Sequence, residues 1–127
     1  MEVHVRNHER AAIIEVQGEV DLYTSPEMRE VIVETTSAKA PTVVVDLSGV
    51  AYMDSSGVAT LVEGLQLSRG YGGTFRLAGL GGAVREVFKF AKLEKVFEIY
   101  PDVTRALAGP GGSSPGATEV RADRWPS

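Results

Sequence analysis

The sequence predicts an α/β fold with a mixed β-sheet of about four to five strands and helices chiefly on one face. Along the chain, apolar segments of strand character alternate with segments of helical periodicity. The chain opens with two strand-like segments and a short turn, which indicate a hairpin. The run "TVVVDLS", residues 42–48, is nearly unbroken and rich in β-branched residues, as in a central strand covered on both faces. Strands separated by helices imply parallel crossover connections.

The first half of the chain contains the predicted hairpin and one helix. A strand around "VHV" leads to a turn at "NHER", and a second strand runs from about Ala11 to Leu22. At residues 24–26 a capping residue is followed by Pro, which suits the first position of a helix. This helix has an apolar stripe and is predicted to end near Lys39. Its stripe consists of Met28, Val31 and Ile32.

The second half continues the alternation. After the central strand, a second helix begins just after two serines and ends at the glycines of residues 70–73. A strand "TFRLAGL", a third helix, a strand "VFEIY" and a short helix from about Asp102 to Ala108 follow. The apolar stripes of the second and third helices are Val58, Leu61, Val62 and Leu65, then Val84, Val87, Phe88 and Ala91.

Length and composition indicate one globular domain. Of the 127 residues, 1–108 carry the periodic pattern, whereas 109–127 are rich in Gly, Pro and Ser and are expected to form a disordered tail. The net charge is -4 and there is no basic stripe, which argues against nucleic-acid binding. No signal-like start or membrane-length apolar run is present, so we expect a cytoplasmic protein without membrane insertion.

Residue types that build metal and cofactor sites are scarce. The chain has no Cys, which removes disulfides, thiol nucleophiles and thiolate ligands, and its only two histidines are His4 and His8. "GLGGAV", residues 79–84, resembles a dinucleotide fingerprint but ends in Val84 where a small residue is needed. No Walker-type phosphate loop occurs. The sequence therefore predicts no metal site and no cofactor.

The stretch "YMDSSGVATLV", residues 52–62, places two serines before a helix. A serine hydrolase would need a G-x-S-x-G elbow and a base, but Ser55 lies in D-S-S-G and the histidines lie in the distant hairpin. Three acids, Asp21, Asp46 and Asp54, fall near ends of predicted strands. Acids at such positions more often cap or terminate elements than form an acid/base pair. We therefore predict no catalytic residues and no enzyme.

The same stretch is well placed to carry a phosphate. Ser55 or Ser56 is predicted to be the N-cap of the second helix, so both hydroxyls emerge at the carboxyl edge of the sheet, where α/β folds present their sites. A phosphate there would meet free backbone N–H groups and the positive end of the helix dipole. It would also add about two negative charges beside Asp54 and Asp21, which would repel a partner docked on that edge.

Three segments carry a family resemblance: "GEVDLYTSP", "VVVDLSGVAYMDSSGVATLVEG" and "FKFAKLEKVFEIYPDVTRAL". Together they resemble the STAS domain, specifically the bacterial anti-sigma factor antagonists, over about residues 2–108. The resemblance implies the STAS fold and phosphorylation of the first serine of D-S-[ST]-G by a kinase-like anti-sigma factor. The implied acceptor is Ser55, with Ser56 the less favoured acceptor and the helix cap. Asp21 and Asp54 match acidic positions beside the phosphorylation site.

The resemblance also implies partners. The unphosphorylated protein would sequester the Ser/Thr kinase-like anti-sigma factor and release a sigma factor, and a serine phosphatase would reset the switch. We expect a partner-binding surface on Asp21, Asp54, Ser56 and Gly57 and on the exposed side of the second helix, at Thr60, Glu63 and Gln66. The alternative is a constitutive STAS interaction subunit, such as an accessory of an ABC lipid transporter or a stress-signalling scaffold. A homodimer is compatible with either role.

Overall fold

The computed structural model describes residues 1–110. Over these residues five strands and four helices follow one another. They are β1 (Glu2–His8), β2 (Ala11–Val20), α1 (Ser25–Ser37), β3 (Thr42–Met53), α2 (Ser55–Gly70), β4 (Thr74–Ala78), α3 (Gly82–Phe90), β5 (Glu98–Tyr100) and α4 (Val103–Ala108).

The strands form a single mixed sheet, which confirms the predicted fold class. Their spatial order is β1-β2-β3-β4-β5. Strands β1 and β2 pair antiparallel as a hairpin, and every later neighbouring pair is parallel. The helices α1, α2 and α3 make the crossovers between the parallel strands, so all three begin at the carboxyl edge of the sheet.

Helices cover the two faces of the sheet unequally, as the sequence predicts. The main core lies between one face and the helices α1, α2 and α3. A smaller cluster lies on the other face, under α4. Successive residues of β3 alternate between them, since Val43 and Val45 belong to the main core and Val44 to the smaller cluster. Burial on both faces explains the unbroken apolar run of this central strand.

Strand β3 is longer than predicted. The apolar run predicts a strand over residues 42–48, but the strand continues to Met53 because β2 continues to pair with it. The pairing includes two register shifts in β2. A Cβ at Gly49 would lie 2.8 Å from the Cγ of Gln17, so a glycine there allows the close approach of the two strands.

Several other boundaries also differ from prediction. Strand β2 ends at Val20, two residues before Leu22, because the chain turns at residues 21–24. The hairpin turn is confined to residues 9–10, since β1 runs on to His8. Smaller differences are the ends of α1 at Ser37 and α3 at Phe90, and the later start of β5 at Glu98.

Two further predictions concern the ends of the chain and the membrane. Most of the predicted tail, residues 111–127, lies outside the described residues. Within residues 1–110, no helix combines the length and the apolar character needed to cross a bilayer.

Candidate functional site

The carboxyl ends of β2 and β3 lie side by side. Val20 pairs with Met53, and the N–H of Asp54 donates a hydrogen bond of 3.1 Å to the carbonyl of Val20. The chain segments that follow these strands, which begin with Asp21 and Asp54, therefore leave the sheet together. Asp21, Asp54 and the two serines that follow Asp54 therefore lie in one region, as predicted.

Asp46 belongs to a different part of the molecule. It precedes Met53 by seven residues of the same strand, a distance of about 23 Å. Its Oδ1 accepts a hydrogen bond of 3.0 Å from the N–H of Ser48. Asp46 therefore lies away from the edge that holds Asp21 and Asp54, because β3 extends beyond the position where the sequence suggested its end.

Asp54, not a serine, is the N-cap of α2. Its backbone is extended, with φ -105° and ψ -171°, and its Oδ1 accepts a hydrogen bond of 2.9 Å from the N–H of Ser56. Ser55 is the first helical residue. The prediction that Ser55 or Ser56 caps this helix is wrong, because a carboxylate one residue earlier satisfies the helix donor.

The two serines have different environments. The Ser56 hydroxyl is half-buried and donates a hydrogen bond of 2.6 Å to Oδ1 of Asp54. The Ser55 side chain is exposed, and among the described residues no group forms a hydrogen bond with its hydroxyl. Of the two serines, only Ser55 therefore presents an unengaged hydroxyl at the carboxyl edge of the sheet.

The backbone donors of the first turn of α2 are largely occupied. The carboxylate of Asp54 binds the N–H of Ser56, and its carbonyl accepts from Gly57 at 3.1 Å and Val58 at 3.3 Å. We expected a phosphate at this position to meet free N–H groups. That expectation is wrong for the N–H groups of Ser56, Gly57 and Val58, because each of them already donates a hydrogen bond to an oxygen of Asp54.

The carboxylate of Asp54 is stabilised in its charged form. The Ser56 hydroxyl makes the largest contribution, and the backbone N–H groups of Ser56, Gly57 and Leu22 add to it. Together they lower the pKa of Asp54 from its ordinary value, against an opposing effect of desolvation. The involvement of Leu22 shows that the turn after β2 lies against the start of α2.

Asp21 organises that turn. Its Oδ1 accepts hydrogen bonds from the N–H groups of Tyr23 at 2.9 Å and Thr24 at 3.0 Å. The Thr24 hydroxyl accepts from the N–H of Asp21 at 2.8 Å and lies 2.8 Å from the carbonyl of Glu19, to which it can donate. Asp21 therefore builds the connection between β2 and α1 while remaining half-exposed beside the serine edge.

Besides Ser56, the four positions of α2 predicted to bind a partner have different exposures. Gly57 is buried, and a Cβ there would lie 2.7 Å from the Cγ of Met53. Thr60 is only 7% exposed and its hydroxyl donates to the Ser56 carbonyl, so its predicted exposure is wrong. Glu63 is half-buried and Gln66 is exposed. Gly57 and Thr60 support the fold of the helix, and Gln66 is the most accessible of the four.

Glu63 joins α2 to α1. Its two carboxylate oxygens each accept a hydrogen bond of 2.7 Å from the guanidinium of Arg29. This pairing lowers the pKa of Glu63 and raises that of Arg29, chiefly through the side-chain hydrogen bond. The sequence reasoning missed this pair, because Arg29 and Glu63 lie on separate helices.

The sequence reasoning also missed Leu22 and Tyr23. Both lie in the turn after β2, and they are 68% and 89% exposed. The sequence pattern predicts Leu22 as the end of the second strand. The Asp-x-x-Thr spacing of "DLYT" was the available signal, since such acids and hydroxyls commonly cap turns.

Comparisons with known proteins agree with this fold. A structure of an anti-sigma factor antagonist from Mycobacterium paratuberculosis superposes with a TM-score of 0.79, at 28% identity over 84% of this chain and 91% of that one. The unphosphorylated form of the anti-sigma factor antagonist SpoIIAA has a TM-score of 0.73 at 21% identity, covering 84% of this chain and 94% of its own. At 21% identity, the similarity to SpoIIAA supports only the fold.

Curated relatives have similar names. The anti-sigma-F factor antagonist RsfB of Mycobacterium tuberculosis is 28% identical over 110 residues, covering 87% of this chain and 89% of its own. The anti-sigma-B factor antagonist of Listeria monocytogenes is 33% identical over 85 residues, covering 66% of this chain and 74% of its own. The family model of the STAS domain matches residues 2–106. The protein is therefore a member of the STAS domain family.

Proposed function

We propose that this protein is an anti-sigma factor antagonist, a binding protein that is switched by phosphorylation of Ser55. Its curated relatives are named as antagonists of anti-sigma-F and anti-sigma-B factors. The observation that carries the proposal is the exposed, unengaged hydroxyl of Ser55 at the first position of α2. In this proposal the protein acts in the cytoplasm, where sigma factors act, and catalyses no reaction itself.

The acceptor is Ser55 because its neighbour is engaged. A kinase must align the attacking hydroxyl with the terminal phosphate of ATP, and an exposed hydroxyl can be aligned without breaking an existing contact. Ser56 would first have to release its 2.6 Å hydrogen bond to Asp54. The exposure of Ser55 and the engagement of Ser56 support the same assignment.

The partner surface includes Asp21, Asp54 and the exposed side of α2 at Gln66. Phosphorylation adds about two negative charges next to the carboxylate of Asp54. A difference of about 3 kcal/mol between the two states changes partner affinity roughly a hundredfold. Electrostatic repulsion between the added phosphate and the partner can supply this difference, so release needs no rearrangement of the fold.

The test is phosphorylation by a kinase-like anti-sigma factor from the same genome. The purified protein is incubated with that factor and ATP, and its intact mass and phosphopeptides are measured. We expect one phosphate in the wild type and in Ser56→Ala, and none in Ser55→Ala. A complex that forms without phosphate transfer would favour the constitutive interaction subunit.

A further inference from the structure

The turn between β2 and α1 exposes two large apolar side chains next to each other. Leu22 is 68% exposed and Tyr23 is 89% exposed. Among the large hydrophobic residues of the described chain, only Phe90 matches this exposure, and the others reach 49% at most. Water covers these side chains in the isolated protein, so their burial against a partner would be favourable.

The turn is held in one conformation before any partner arrives. Asp21 accepts hydrogen bonds from the N–H groups of Tyr23 and Thr24, and the Thr24 hydroxyl contacts the carbonyl of Glu19 at 2.8 Å. The backbone of a preorganised turn loses little conformational entropy when the turn binds. Leu22 and Tyr23 therefore meet the physical requirements for interface anchors.

These two residues lie beside Ser55. The N–H of Asp54, which directly precedes the serine, donates a hydrogen bond of 3.1 Å to the carbonyl of Val20, two residues before Leu22. The N–H of Leu22 in turn is directed at the Asp54 carboxylate. A third exposed residue with a large apolar side chain, Tyr52, is 49% exposed and pairs with Glu19 at the end of β3. A partner that contacts Ser55 is thus within reach of apolar anchors on the neighbouring turn.

The surroundings of the anchors are acidic. Residues 19–27 contain Glu19, Asp21 and Glu27 and no Lys or Arg, and residues 41–68 likewise carry acids but no basic residue. A partner that fits must therefore offer an apolar pocket with positive charge at its rim. Large apolar anchors inside a polar rim are the arrangement that concentrates binding energy in protein interfaces.

We propose that Leu22 and Tyr23 insert into an apolar, cation-rimmed pocket of the anti-sigma factor and supply the main apolar contact of the complex. This inference rests on the proposed function and adds the residues that hold the partner. The anchors contribute to affinity in both phosphorylation states, because the cationic rim faces the acids of the turn. The phosphate on Ser55 acts outside that rim, by repulsion of the nucleotide phosphates that the kinase holds at this serine.

The experiment measures the affinity of the full-length chain for the same kinase-like anti-sigma factor by titration calorimetry. Tyr23→Ala and Leu22→Ala should each weaken binding by about 30-fold, the range of interface hot spots. Both side chains are exposed, so the melting temperatures of the free variants should stay close to that of the wild type. The matched control is Phe90→Ala, which removes an equally exposed aromatic side chain.

Phe90 ends α3, roughly 12 Å along that helix from its start at Gly82, and α3 follows β4, not the strands β2 and β3 that lead to the anchors and Ser55. Its replacement should leave the affinity unchanged. Binding of Tyr23→Ala and Leu22→Ala within about twofold of wild type, or an equal loss in Phe90→Ala, would overturn the anchor assignment. A wild-type protein that fails to bind would instead overturn the proposed function.

Discussion

Oδ1 of Asp54 accepts two hydrogen bonds from Ser56, one from its N–H at 2.9 Å and one from its hydroxyl at 2.6 Å. One oxygen thereby both caps α2 and engages the second serine of the D-S-S-G segment. Ser55 lies between these two residues and takes no part in either contact. The choice of phosphoacceptor is thus linked to the capping of the helix.

Removal of the Asp54 carboxylate should make Ser56 available as an acceptor. In Ser55→Ala we expect no phosphate, because the Ser56 hydroxyl remains engaged. In Asp54→Ala with Ser55→Ala, the freed hydroxyl should accept a phosphate at Ser56, detectable by peptide mapping. The control is Asp54→Ala alone, which retains Ser55. If that variant is phosphorylated only on Ser55 and the double variant takes no phosphate, Asp54 does not select the acceptor.

The contribution of Asp54 to stability should depend on pH. Hydrogen bonds from Ser56 lower the pKa of Asp54 in the folded protein from 3.8, so the unfolded state binds a proton more readily. The stabilisation is complete above the unfolded pKa and is lost as the pH falls through the lower folded pKa. The melting temperature of Asp54→Ala should therefore fall clearly below that of the wild type at neutral pH, and the gap should narrow in acid.

Asp54→Asn is the matched control for this titration. Its amide oxygen can still cap the helix, and it does not titrate, so its melting temperature relative to Asp54→Ala should be insensitive to acid. If the difference in melting temperature between wild type and Asp54→Ala stays constant from neutral pH to about pH 3, Asp54 does not stabilise the fold as a charged helix cap.

Much of the fold could be predicted from the sequence because its periodic patterns are strong. The β-branched run of β3 and the apolar stripe of α2 each indicated one element, and both are present. The end of β3 could not be predicted, since its continuation past Gly49 depends on pairing with β2. Strand ends that depend on a neighbouring strand leave little signal in their own residues.

Details of the site were harder to predict for the same reason. The sequence placed Asp54 and Ser55 at a helix start, but Asp and Ser are both good caps and only geometry distinguishes them. Thr60 is buried because α2 packs on the sheet. Glu63 contacts Arg29 because α1 packs on α2. Such contacts between elements distant in sequence require the tertiary structure.

Gly57 should tolerate no side chain. An added Cβ would lie 2.7 Å from the Cγ of Met53 and 2.8 Å from Cγ1 of Val20, both in the core. Overpacking of this kind costs about 1–3 kcal/mol, so Gly57→Ala should lower the urea midpoint. Gly70→Ala is the control in the same helix, because nothing lies within 4 Å of its added Cβ. Equal midpoints for the two variants would show that the core around Gly57 adjusts freely.

The proposed release mechanism predicts a dependence on salt. Three donors at the start of α2 are already bound by Asp54, so they are not free to draw a phosphate on Ser55 into the helix terminus. Its charge then acts on the partner across the interface, where ions screen it. Ser55→Asp carries part of that charge, so its affinity deficit relative to wild type should shrink as the ionic strength rises from about 0.05 M to 0.5 M.

Ser55→Asn is the control for this measurement, because it has nearly the same shape as Asp without the charge. Its affinity relative to wild type should not change with salt. A deficit of Ser55→Asp that is the same at both ionic strengths would indicate that release works by a change of shape. The melting temperature of the phosphorylated protein distinguishes the two mechanisms independently, since a charge that acts only on the partner should leave it nearly unchanged.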